Sequence, residues 1–156
     1  MYAELRMNAP DAASLGSSAP PPEHPTVIGA VVDVPASGGF VTFVAITDGT
    51  VSMYTSTGGG MIGAGGHAAV AESAHRLLAT VETQLDQLHA SDETAHPAPG
   101  LVRVFALTPT GRRVADAPED AFWGRAPHPL VPVFMGVQQL LTAMRQVQPP
   151  DDAPPR

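Results

Sequence analysis

Residues 40–56 have the sequence Phe-Val-Thr-Phe-Val-Ala-Ile-Thr-Asp-Gly-Thr-Val-Ser-Met-Tyr-Thr-Ser, in which two apolar stretches flank Asp48-Gly49. β-Branched and aromatic residues favour extended backbone. The Asp-Gly pair favours a two-residue type I′ turn, because both central positions of that turn need positive φ. The stretch therefore predicts a β-hairpin with strands at 40–47 and 50–56, and it is the strongest local signal in the chain.

A two-residue turn sets the register of this hairpin, and with it the two faces. Thr47 would pair with Thr50, and the pairing would continue outward in step. One predicted face holds Thr42, Val44, Ile46, Val51, Met53 and Thr55, and the other holds Val41, Phe43, Ala45, Ser52, Tyr54 and Ser56. The first is the more apolar and is the predicted core face. The second pairs Phe43 with Tyr54 among hydroxyl groups, which makes it a candidate interaction surface.

The segments around the hairpin predict three more strands and two helices. The β-branched run 27–34 indicates a strand, and 101–117 indicates a second hairpin with a type I turn at Thr108-Pro109-Thr110-Gly111. Apolar residues recur every three or four positions over 67–90 and 130–147, which is typical of amphipathic helices. The order βββ-α-ββ-α predicts an α+β domain, in which two helices pack on a five-stranded, mainly antiparallel sheet.

This order of elements, with a hairpin that turns at Asp48-Gly49, resembles the roadblock/longin group of profilin-like scaffold domains. The resemblance is one of architecture and rests on no sequence motif. It implies a loosely profilin-like or roadblock-like sheet that serves as a scaffold.

The two ends of the chain differ in composition from its middle. Residues 1–25 and 148–156 are rich in Pro and contain few large apolar side chains. Ordering the backbone costs about 1–2 kcal/mol per residue, which such segments cannot offset by burying apolar surface. We therefore expect disordered tails at 1–25 and 148–156, on either side of one globular domain at 26–147.

Composition also excludes several classes of chemistry. The chain has 156 residues, a net charge of −7 and no Cys, and its eight basic residues are all Arg. Thiol nucleophiles, Cys-zinc sites, Schiff-base lysines and the phosphate-binding lysine of a P-loop are therefore absent. The acidic charge and the scattered Arg residues disfavour binding to nucleic acid or to an anionic membrane. A chain without Cys suits a reducing compartment, so we expect it to be cytoplasmic.

A glycine-rich segment connects the first hairpin to the first predicted helix. Gly58, Gly59, Gly60 and Gly63 match the pattern G-x-G-x-x-G, and His67 follows at the start of the helix. Backbone N–H groups at such a position can hold an anion. A dinucleotide site is disfavoured, because the preceding strand belongs to an antiparallel hairpin and no second βαβ unit follows. Two interpretations remain: a tight connection, or a small-ligand site formed by these four glycines and His67.

The predicted loop 118–129 is the stretch richest in chemically versatile side chains. It contains Trp123, Arg125 and His128, and Trp and Arg are enriched at the energetic centres of protein interfaces. Either Trp123 is exposed for recognition, or it packs against the edge of the sheet. The histidines elsewhere lack the spacing of a helical metal site, so we predict no metal, no cofactor and no catalytic set.

These patterns favour a non-enzymatic protein-interaction or scaffold module of a small, acidic, bacterial-type protein, whose partner is another protein or a second copy. The candidate interaction residues are Phe43, Tyr54, Trp123, Arg125 and His128. The alternative is a small-ligand or enzyme domain that uses the glycine segment 58–66 as an anion cradle.

Overall fold

The computed structural model describes residues 25–36, 38–47, 50–56, 60–61, 66–93 and 95–147. The predicted tails at 1–25 and 148–156 lie outside these residues apart from Pro25, and so does the Asp48-Gly49 pair. Within the described residues the chain is an α+β structure with a single antiparallel sheet, which confirms the predicted fold class.

The sheet has seven strands among the described residues. They are β1 (Gly29–Ala36), β2 (Gly39–Ile46), β3 (Val51–Thr55), β4 (Gly60–Met61), β5 (His89–Ala90), β6 (Leu101–Thr108) and β7 (Gly111–Pro118). Their order across the sheet is β4-β3-β2-β1-β6-β7-β5, and each neighbouring pair is antiparallel. The prediction of five strands is corrected: all five are present, and a two-residue strand extends the sheet at each edge. Two residues are too few to produce a periodic pattern.

Three helices lie among the described residues, and they are α1 (Ala68–Thr83), α2 (Glu119–Phe122) and α3 (Val131–Val147). The helix predicted over 67–90 ends early, because a 3₁₀ turn at Leu85–Gln87 and strand β5 follow it. Helix α2 was not predicted, since four residues cannot display a helical period. None of the helices in the described part of the chain is long and apolar enough to cross a membrane.

The register of the β2–β3 hairpin differs by one residue from the predicted register. Phe43 pairs with Met53, and the N–H of Ile46 donates to the carbonyl of Thr50 at 2.9 Å. Three residues, 47–49, therefore separate the last paired residues, where two were predicted. Three-residue loops that contain Gly are also common in hairpins. A shift of one residue moves every side chain of β3 to the opposite face relative to β2.

This shift overturns the predicted Phe43–Tyr54 interaction surface. Phe43 and Met53 face the helices, whereas Tyr54 pairs with Thr42 and lies on the other face of the sheet. Phe43 is buried in the main core and Tyr54 is half-buried. The two rings therefore cannot form one surface.

Apolar side chains pack on both faces of the sheet. The main core lies between the sheet and the helices, where α1 packs on β1–β3 and α2 packs on β6 and β7. The opposite face carries a separate group that we call the second-face cluster, made of Ile28, Val31, Val44, Ile46, Phe105, Leu107 and Val114. Gly29 lies between two of its members: a Cβ there would be 2.8 Å from Cδ1 of Ile46 and 3.0 Å from Cδ1 of Leu107.

Arginines of β6 and β7 hold the connection between β5 and β6. Arg103 donates from Nε and Nη2 to the carboxylate of Asp116 at 2.7 and 2.9 Å, and from Nη1 to the carbonyl of Ala95 at 3.0 Å. The hydrogen bond to Asp116 raises the pKa of Arg103 above its ordinary value, so the guanidinium stays charged. Arg112 of β7 donates from Nη2 to the carbonyl of Asp92 at 2.7 Å. These bonds link the long connection to the sheet.

The register can be tested with pairs of introduced cysteines, because the chain has none of its own. Val41 and Thr55 are direct partners on one face. Cα atoms of such partners lie within the range that a disulfide requires, about 4.4–6.8 Å. We expect Val41→Cys with Thr55→Cys to form an intramolecular disulfide under mild oxidation, as measured by mass spectrometry. Val41→Cys with Ser56→Cys, the pair of the predicted register, should stay reduced, and efficient oxidation of this control would contradict the observed pairing.

Candidate functional site

An apolar pocket of about 350 Å³ opens where the helix-facing side of β1–β3 meets α2 and α3. Each wall comes from a different part of the chain. The lining residues are Val34, Pro35, Ala36, Val41, Phe43, Met53, Phe122, Trp123, Leu141, Met144 and Arg145. The pocket therefore joins segments that are far apart in the sequence.

The sheet wall depends on the observed register of β2 and β3. Strand side chains alternate between faces, so Val41 and Phe43 point to the same side. The pairing of Phe43 with Met53 brings Met53 to that side as well. Phe43 is buried at the base, while Val41 and Met53 are half-buried. In the predicted register Met53 would have pointed away from the helices, and the pocket would have lacked this wall.

Helix α2 supplies Phe122 and, at its C-terminal end, Trp123. Phe122 is buried, with its ring centroid 5.6 Å from that of Phe134 in α3. The Trp123 ring meets Phe122 edge-on at 4.9 Å, and its Nε1–H donates to the Glu119 carboxylate at 3.2 Å. Trp123 is nevertheless 46% exposed. One edge of the indole is thus held by the helix, and much of the remaining ring surface faces solvent at the rim.

Helix α3 completes the pocket with Leu141, Met144 and Arg145. Met144 is buried, Leu141 is half-buried and Arg145 is exposed. Positions three and four apart lie on one side of a helix, which explains why Leu141 and Arg145 border the same opening. None of the ion pairs found within the described residues involves Arg145. The rim therefore combines an exposed indole with an exposed guanidinium.

The described lining is mostly apolar. Among the described lining residues there is no Ser, Thr, His, Asp or Glu, so none supplies a nucleophile or a general acid or base. The polar groups are the Arg145 guanidinium and the Trp123 indole N–H, and the latter is already bonded to Glu119. No three potential metal ligands come together in the described part of the chain.

The predicted ligand-binding residues are only partly described. Gly58, Gly59 and Gly63 lie outside the described residues, and Gly60 begins β4. His67 is exposed at the N-cap of α1, where its side chain makes no capping hydrogen bond. The anion cradle at 58–66 therefore stays a prediction.

Two of the predicted interaction residues have local partners instead. Arg125 donates from Nε and Nη2 to Oδ1 of Asp120, at 3.2 and 3.0 Å. His128 accepts at Nδ1 the N–H of Leu130 at 3.1 Å, just before α3 begins. Neither is among the lining residues of the pocket.

Of the five predicted interaction residues, the pocket brings together Phe43 and Trp123. Met53, Leu141, Met144 and Arg145 were missed. The helical period of 130–147 does place Leu141 and Met144 on one apolar face, but it cannot show that the face stays open at its C-terminal end.

No protein-family model, curated protein or solved structure matches this chain.

Adjacent aromatic residues provide a test of this geometry. Phe122→Ala removes a buried ring, and we expect it to lower the free energy of unfolding by about 3–5 kcal/mol. Trp123→Ala removes a ring that is 46% exposed. We expect it to cost only about 1 kcal/mol, closer to a surface substitution. Urea unfolding followed by circular dichroism measures both values, and equal losses would show that Trp123 is a core residue.

Proposed function

We propose that this chain is a non-enzymatic protein-interaction module, which binds a partner protein by accepting one large apolar side chain in the pocket beside Trp123. The observation that carries the proposal is the open apolar pocket itself, whose base is Phe43 and whose rim carries the exposed Trp123. Pockets of this kind are where interface residues with the largest binding contributions insert.

The folded chain leaves the apolar side chains of this pocket open to water, and a partner side chain would cover them. Burying a Leu, Ile, Met or Phe side chain contributes about 1.5–3 kcal/mol. The partner would also cover the exposed part of Trp123, and Trp is among the residues enriched at interface centres. Small-molecule sites usually add several convergent polar groups that fix orientation. Among the described lining residues, Arg145 alone carries a charge. This lining suits an apolar anchoring side chain better than a polar metabolite.

Arg145 specifies a second feature of the partner. A carboxylate next to the anchoring side chain would meet the exposed guanidinium at the rim, and Arg binds carboxylates with two parallel hydrogen bonds. The chain as a whole carries a net charge of −7. An acidic residue beside the apolar anchor of the partner would bind the Arg145 guanidinium. An otherwise neutral or basic partner surface would avoid repulsion from the net negative charge of this chain.

The wider setting belongs to the same proposal. A Cys-free chain suits the reducing cytosol, and we place this bacterial-type module there. The profilin-like or roadblock-like arrangement of elements would make the sheet a scaffold that presents the pocket. The absence of acid, base and nucleophile from the described lining supports binding over catalysis.

A random-peptide display selection against the purified chain tests the proposal. We expect the enriched peptides to share a large apolar residue beside Asp or Glu. Titration of such a peptide should shift the emission of Trp123, which is the single Trp of the chain. Trp123→Ala should weaken binding by about 30-fold, the equivalent of about 2 kcal/mol.

Two arginine substitutions on α3 test the site: one lies in the pocket, and the other is its matched control. Leu141→Arg fills the pocket and should abolish peptide binding. Met135→Arg changes an apolar residue that is 57% exposed and is not among the lining residues, and it should bind like the parent. Circular dichroism melting confirms that both are folded. Peptides that bind Leu141→Arg as tightly as the parent would refute the proposed site. If the chain dimerises and Leu141→Arg makes it monomeric, the occupant is a second copy instead.

A further inference from the structure

The Trp123 indole at the rim of the pocket has two specific interactions within the described residues. Phe122 meets the ring edge-on, with centroids 4.9 Å apart, and Oε2 of Glu119 accepts the Nε1–H at 3.2 Å. Because Trp123 is 46% exposed, packing restrains its ring less than it would in the core. An exposed side chain can occupy several staggered rotamers unless a contact selects one. The bond to Glu119 is the contact that fixes the direction of the indole N–H.

Glu119 is well placed to hold the ring. Residues four apart on a helix lie on the same side, so the first residue of α2 comes next to the Trp123 ring at its C-terminal end. The N–H of Glu119 donates to the carbonyl of Gly100 at 2.9 Å, which fixes the backbone of this residue. None of the ion pairs in the described part of the chain involves Glu119. Its carboxylate is therefore committed to the indole and not to a basic side chain.

The backbone of α2 is held by interactions that do not involve the Glu119 side chain. Nε2 of Gln138 in α3 donates to the carbonyl of Phe122 at 3.3 Å, and Asp120 pairs with Arg125 at 3.0 Å. Phe122 itself is buried. Loss of the Glu119 carboxylate would therefore release the Trp123 ring but leave the short helix in place.

We propose that Glu119 is a positioning residue for the pocket, whose carboxylate holds the Trp123 indole at the rim as one wall of the opening. This inference rests on the proposed binding function and deepens it. Hydrogen bonds to an ionised acceptor are roughly twice as strong as those between neutral groups. A partner side chain that covers the rim would exclude water from the bond and strengthen it. Glu119 thus contributes to affinity, although it is not among the lining residues.

The same bond affects which anchoring side chain fits the rim. Since the indole N–H already donates to Glu119, Trp123 offers a partner its apolar ring. The Arg145 guanidinium is the remaining polar donor among the described lining side chains. The bond therefore favours an apolar anchor beside Trp123 and leaves recognition of a carboxylate to Arg145.

Three substitutions on α2 test the proposal in the full chain. Glu119→Ala removes the acceptor, whereas Glu119→Gln removes the charge and keeps an acceptor oxygen. Asp120→Ala is the matched control, because it removes the same charge from the next residue, which is exposed and bonds to Arg125 instead. Circular dichroism melting shows whether each variant is folded.

The position of the ring is measured without any partner. The single Trp of the chain gives one indole N–H resonance in the NMR spectrum of nitrogen-labelled protein. We expect Glu119→Ala to shift this resonance and to increase the quenching of Trp123 fluorescence by acrylamide. Glu119→Gln should show much smaller changes, and Asp120→Ala should match the parent. An unchanged resonance and unchanged quenching in Glu119→Ala would overturn the proposal, because other contacts would then hold the ring.

The contribution to binding is measured with peptides selected against the parent chain. Glu119→Ala should bind them about fivefold more weakly. Glu119→Gln and Asp120→Ala should bind within about twofold of the parent. If Glu119→Ala moves the indole but binds as tightly as the parent, the role of Glu119 in the pocket is refuted. If the parent binds no peptide, the proposed function fails, and the indole resonance still decides whether Glu119 positions the ring.

Discussion

The pairing of Phe43 with Met53 across β2 and β3 is the constraint on which the other features depend. It places Val41, Phe43 and Met53 together on the helix-facing side, and it sends Tyr54 to the opposite face. Because side chains alternate along a strand, a shift of β3 by one residue would exchange the faces of Met53 and Tyr54. Met53 would then leave the pocket. The candidate site therefore depends on the observed register of β2 and β3.

The open corner of the helix layer is a second consequence of how the elements pack. Helix α1 covers β1–β3, and the short α2 packs over β6 and β7. The C-terminal part of α3 reaches the pocket with Leu141, Met144 and Arg145 but does not fill it. Large contiguous apolar patches are uncommon on isolated proteins and often mark a binding site. Trp123, the most exposed aromatic residue in the described part of the chain, lies at the rim of this corner.

The central strands are apolar on both faces, which is typical of a sheet that is covered on both sides. Val31 and Val32 are adjacent in β1, and each has 0% exposure on its own face. Gly29 contributes to the second face by leaving room for the side chains of Ile46 and Leu107. Both faces of the central strands therefore contribute buried apolar side chains to the fold.

The sequence by itself determined the features that depend on local patterns. Apolar residues at helical spacing predicted α1 and α3, and Thr108-Pro109-Thr110-Gly111 predicted the turn between β6 and β7, where Thr108 pairs with Gly111. The α+β class followed from the order of these elements. The backbone geometry of a helix or strand fixes the spacing at which side chains return to the same face. Such elements can therefore be predicted from the local sequence alone.

Tertiary structure alone decided the hairpin register, helix α2 and the pocket. Loops of two and of three residues are both compatible with Asp48-Gly49, and the choice between them depends on which faces of β2 and β3 can be buried against distant helices. The sequence identified both Phe43 and Trp123 as candidate interaction residues. Phe43 was chosen for a predicted pairing with Tyr54, whereas in the structure it pairs with Met53. Met53 and Arg145 carry no local signal of a site, because their role arises only when segments about 90 residues apart meet in space.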